Sequence, residues 1–112
     1  MDDASEILTT LSDEQNREII KLVSKTELTI QQISNMLNIP LSTVYRKTRK
    51  LEELKMIKKT KVVRTLEGLD ESYYKNWIYE ITVTYRDGEI SYKLEHLKIE
   101  DKIVRLWQKF SE

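Results

Sequence analysis

A single proline, Pro40, interrupts two stretches of helical pattern, and this arrangement constrains the fold of the 112-residue chain more than any other feature. Thr29 can cap a helix through Leu37, with Ile30, Ile33 and Leu37 sharing one face. Asn38-Ile39-Pro40 then forms a turn: Asn tolerates a left-handed backbone, and proline cannot continue the preceding helix. Ser42 is the expected cap of a second helix, running from about Thr43 to Leu54, whose buried line is Val44, Thr48 and Leu51. Ser42, Tyr45, Arg46, Arg49 and Lys50 then face outward.

A helix locked by its apolar side onto a preceding helix, with Arg, Lys, Tyr and Ser on its free side, suits a DNA major groove. The charge distribution favours this reading over an ordinary solvated face. Between Leu41 and Thr65 there are nine Lys or Arg and two acids, a net of +7, in a chain whose formal charge is zero. The charge is sorted along the sequence, as a nucleic-acid contact requires.

The remaining segments read as support. Glu6 to Leu11 is a short helix with Ile7, Leu8 and Leu11 on one side, packing on the core or on a partner subunit. Ser12 or Asp13 can cap a helix from Glu14 to Ser24 that buries Ile19, Ile20 and Val23, and Ser12 with Gln15 fits a capping box. After Ile57 the pattern turns β-branched. Lys58 to Leu66 and Asn76 to Tyr85 are expected to pair as a wing, joined by the acidic connection Glu67 to Lys75. Asp87-Gly88 signals a tight hairpin turn, which adds a third strand, Ile90 to Leu94. Ile99, Ile103, Leu106, Trp107 and Phe110 then recur at helical spacing and are the expected dimerisation residues of a C-terminal amphipathic helix over 98–111.

Ile33 to Arg46, followed by Lys50 to Ile57, resembles the winged helix-turn-helix of prokaryotic transcriptional regulators such as the ArsR and MarR groups. Ser42, Val44, Arg46, Leu51, Glu52 and Ile57 fit the pattern that closes the recognition helix and leads into a wing. Asn38 and Lys55 depart from it, standing where glycine often makes the turn and ends the helix. The resemblance implies an α+β fold with a three-helix core, a β-hairpin wing with a third strand and the C-terminal helix. It makes the chain one domain over 1–112, with helical core 1–57, helix-turn-helix 29–55 and wing strands 58–95.

The expected function is sequence-specific regulation of transcription on double-stranded DNA. Ser42, Thr43, Tyr45, Arg46 and Arg49 are candidates for base edges or the groove, and Lys50, Lys59, Lys61 and Arg64 for phosphates. The alternative is a protein-interaction module that uses the same fold to dock on the transcription machinery or another assembly. With no cysteine, thiolate metal sensing of the kind many ArsR-type proteins use is excluded. His96, the sole histidine, has no neighbours that would make it a ligand or a base, so neither enzyme activity nor a cofactor is expected. The acidic N-terminus and the absence of a long apolar run lead to the expectation of a cytoplasmic protein without membrane contact.

Overall fold

The computed structural model describes residues 3–98, so the proposed helix over 98–111, with Ile99, Ile103, Leu106, Trp107 and Phe110, lies outside the described residues apart from Lys98. Four helices come first: α1 (Asp3–Ser12), α2 (Glu14–Lys25), α3 (Ile30–Leu37) and α4 (Leu41–Glu53), with a two-residue strand β1 (Leu28–Thr29) before α3. Four further strands follow: β2 (Ile57–Arg64), β3 (Asp70–Asn76), β4 (Ile78–Arg86) and β5 (Glu89–His96). The architecture is α+β and is that of a winged helix.

Local chemistry sets the helix ends. Asp13, rather than Ser12, caps α2 by accepting from the backbone N–H groups of Gln15 and Asn16, while the Ser12 hydroxyl donates back to Thr9. The capping box forms one element later: Thr29 Oγ1 accepts from Gln32 N–H, and Gln32 Oε1 accepts from Thr29 N–H. Asn38 takes the left-handed conformation at φ 54° that the turn demands.

The second helix of the pair starts earlier than the sequence suggests. Pro40 is the N-cap of α4, and its carbonyl accepts from Thr43 and Val44, so Ser42 lies inside the first turn and makes no capping bond. A proline has no N–H to leave orphaned at a helix start, and its φ is already fixed near helical values, so the helix gains two residues. At the other end, Lys55 adopts φ 62°; its N–H reaches Glu52 O, and Met56 N–H reaches Leu51 O. This is the bond pattern of a glycine-ended helix, with buried Leu51 and Met56 making its usual apolar contact. Lysine accepts the left-handed backbone here at a cost of about 1–2 kcal/mol.

Ile7, Ile19, Val23, Ile33, Val44, Leu51, Met56 and Ile57 form the buried centre, joined by Leu28, Ile39 and Tyr74. Every helix contributes to it. The outward faces of α3 and α4 are therefore fixed by burial rather than by the turn alone.

The strand pairing differs from expectation. The wing is β2 with β3, antiparallel with Ile57 opposite Asn76 and Arg64 opposite Asp70, and β1 adds to the outer edge of β3. The stretch expected to be a connection, Glu67 to Lys75, thus supplies most of a central strand. Its polar composition hides this, but Tyr74 is buried in the core and strands on both sides satisfy its backbone. Of the second wing strand expected over Asn76 to Tyr85, Asn76 alone, as the last residue of β3, faces β2. Instead, among the described residues, β4 pairs only with β5 as a separate hairpin, Ile81 opposite Leu94 and Arg86 opposite Glu89, closed by Asp87 and Gly88 at φ 52° and 80°. His96 stacks on Trp77 with ring centroids 3.8 Å apart, and its Nε2 lies 2.9 Å from Lys55 O, which fastens the base of this hairpin to the end of α4.

Candidate nucleic-acid interface

Val44, Thr48 and Leu51 are buried, so α4 turns Ser42, Tyr45, Arg46, Arg49 and Lys50 to the surface, with Thr43 half-buried at its edge. Lys59, Lys61 and Arg64 are exposed on β2. Helix and wing meet at a cleft of about 310 Å³ lined by Tyr45 of α4, Lys59 of β2, residues 70–72 and Tyr74 of β3, and the start of α3 from Thr29 to Gln31. Tyr45 and Lys59 are thereby brought together although the sequence separates them widely. Lys50 is not part of this grouping: it does not line the cleft, and its ammonium lies 2.8 Å from Glu6 on α1.

The basic segment is already answered by carboxylates. Lys47 pairs with Asp13 at 2.6 Å, Lys50 with Glu6, Lys61 with Glu27 at 3.1 Å, Arg49 with Glu53 at 3.7 Å and Arg64 with Asp70 at 3.9 Å. Hydrogen bonds from Thr60 and then Lys61 hold the Glu27 carboxyl below its usual range, and the bond to Glu6 raises Lys50. Most of these groups are exposed, and exposed pairs contribute only about 0–1 kcal/mol, so exchanging a carboxylate for a phosphate costs little. Lys47 differs. Its side chain is 10% exposed, which removes it from the outward face although it counts toward the sequence charge.

Arg46 is exposed and has no ion pair with any described residue, so its planar fork of donors is unengaged among them. Lys59 lies 6.0 Å over the Tyr74 ring and Lys61 4.6 Å over the Tyr73 ring, so the wing tyrosines serve as platforms for the cations. Sequence reasoning did not single out Leu41. The longer α4 puts it in the first helical turn, where it is 48% exposed. The signal for it was Pro40 itself, a residue favoured at helix starts.

Among the described residues no group of three or more His, Cys, Asp or Glu is arranged to hold a metal ion, and no helix is long and apolar enough to cross a membrane.

Comparisons with known proteins agree with this geometry. The family described as "Sugar-specific transcriptional regulator TrmB" matches residues 11–81, which spans α2, the helix pair, the wing and the start of β4. Among solved structures, HlyU from Vibrio cholerae N16961 is similar with a TM-score of 0.53 and 16% sequence identity, over 66% of this chain and 74% of that one. At that identity the likeness speaks for the winged-helix fold alone. No curated protein matches the chain by sequence.

Proposed function

The chain belongs to the TrmB family and is a DNA-binding transcription regulator rather than an enzyme, and from that premise we propose that it reads a specific operator as a homodimer. In this reading α4 lies in the major groove, with Ser42, Thr43, Tyr45, Arg46 and Arg49 at base edges or groove walls. Lys50, Lys59, Lys61 and Arg64 contact phosphates. The observation that carries it is the cleft in which Tyr45 of α4 meets Lys59 of the wing, next to an exposed Arg46 that has no ion pair with any described residue. Residues 1–112 act as one unit in the cytoplasm, and Ile99, Ile103, Leu106, Trp107 and Phe110 supply the dimer contact. The likeness to the ArsR and MarR groups is proposed for the helix pair alone.

Titration of a selected operator and a random duplex at two salt concentrations tests the reading, with the operator expected to bind tighter at both. The wing cations have no fixed route to bases. Replacing Lys59, Lys61 or Arg64 with alanine is therefore expected to weaken both duplexes alike and to reduce the slope of log K against log salt by about 0.9 per lost phosphate contact. A loss confined to the operator would reassign that residue to base reading.

The dimer is tested separately. Sedimentation at micromolar concentration is expected to give twice the chain mass, and combined alanine replacement of Leu106, Trp107 and Phe110 to give the monomer. Each such side chain contributes about 1.5–3 kcal/mol when fully buried, enough together to decide association at that concentration. A monomeric wild type would remove this part of the proposal.

A further inference from the structure

We propose that the leading end of α4 carries an apolar notch that reads thymine through its C5-methyl group, with Leu41 as the specificity-determining residue. The inference rests on the major-groove placement proposed above.

A cleft of about 480 Å³ opens at the start of the recognition helix, lined by Ile30 and Gln31 from α3 and by Leu41, Ser42 and Tyr45 from α4. Leu41 and Tyr45 stand four residues apart, hence one above the other on the same helix face, and are 48% and 56% exposed. Leu41 takes no part in the core cluster, so packing within the described residues does not account for an apolar side chain there. Ile30, half-buried at the first turn of α3, forms the third apolar wall.

The surroundings select the occupant. Ser42 and Gln31 border the notch with hydrogen-bonding groups, Arg46 follows Tyr45 on the exposed side of α4, and Tyr45 also lines the neighbouring cleft with Lys59. Among the described residues no charged side chain lines the notch itself, and in the neighbouring cleft Lys59 stands with Asp70 and Glu71. What the notch offers is an exposed apolar recess at the leading end of α4, which fits a small apolar group presented in the groove. In the major groove that group is the thymine methyl, the one apolar feature the base pairs display there. The N-terminal residues of a recognition helix are also those that reach base edges. A protein partner would instead call for a broader contiguous apolar patch.

The test uses a duplex operator selected from a random library with the full wild-type chain, then remade with deoxyuridine in place of each thymidine in turn. Removing the methyl is expected to weaken wild-type binding roughly fourfold, the value of one buried methyl, at one or two positions of each half-site and nowhere else. Leu41→Ala, an exposed change whose fold is checked by circular dichroism, is expected to bind the thymidine operator more weakly and to lose the discrimination at those positions. Uridine duplexes that all bind like the parent, or a uridine penalty that survives Leu41→Ala unchanged, would overturn the inference. Failure of the wild type to enrich any sequence would overturn the groove placement with it, and would show before any thymine is replaced.

Discussion

Replacing Arg46 and Arg49 together with alanine is expected to lower operator affinity by about 2–6 kcal/mol and to bring operator and random duplex close together, with the fold unchanged. Each bidentate contact to a base edge discriminates by about 1–3 kcal/mol, and these two arginines are the exposed guanidinium groups of α4. Arg46 should account for more of the loss. It has no carboxylate partner among the described residues, whereas Arg49 exchanges a contact to Glu53 one turn away when it reaches for DNA. Their exposure means that removal strands no buried group, so thermal unfolding is expected to move little. Equal binding of both duplexes by the double variant and the wild type would sink the groove assignment and transfer this face to protein docking. The contrast with Lys59, Lys61 and Arg64 makes the test specific, since those losses should leave the ratio between duplexes intact.

Where short-range chemistry decides, the sequence was readable. Thr29 caps α3, Asn38 bends left and Asp87-Gly88 closes a two-residue turn, whereas the capping box expected at Ser12 and Gln15 forms instead at Thr29 and Gln32. Val44, Thr48 and Leu51 are buried as their spacing requires, which already settled the outward face of α4. The start of α4 was misplaced because serine is the commoner cap, although the proline two positions earlier could begin the helix without losing a donor. The wing was misassigned for a different reason. Asp70 to Asn76 has the composition of a loop, and it becomes a strand because β1 and β2 pair with its two edges while Tyr74 fills the core. Strand propensity measures the fit of side chains to neighbours that one segment cannot reveal.

The ion pairs were the least legible part of the candidate site. Lys47, Lys50 and Lys61 find acids 34, 44 and 34 residues away in sequence, and nothing local marks which cation will be claimed. The charge sum treated them all as available to DNA. Packing sorts them: Lys47 is drawn inward, the exposed pairs stay exchangeable, and Arg46 has no ion pair among the described residues.

The pair formed by Lys47 and Asp13 carries the second large expected effect, this time on stability. Asp13 does two jobs, capping α2 through Gln15 and Asn16 and holding Lys47, which belongs to the recognition helix. Asp13→Ala is expected to cost about 2–3 kcal/mol: about 1 for the cap, and the rest for a lysine side chain only 10% exposed left without its acceptor. Part of the second loss is recovered as the lysine stem swings its charge outward. Asp13→Asn keeps a competent cap and removes the charge, so it should lose only the lysine share, about 1–2 kcal/mol. In a Lys47→Met background the same Asn replacement should cost nearly nothing, because the apolar stem fills the site and no cation is stranded. The sign of the pH dependence follows from the direction in which Asp13 is shifted. The bond to Lys47, aided by the backbone donors, holds its carboxyl below the ordinary value of 3.8 in the folded state, so its contribution is present above that value and is lost as pH falls through the lower folded one. The stability gap between wild type and Asp13→Asn, followed by urea unfolding from neutral to acid pH, should therefore stay constant down to the ordinary carboxylate range and shrink below it. A gap that held steady into acid, or one that persisted in the Lys47→Met background, would show that the contact does not link the start of α2 to α4.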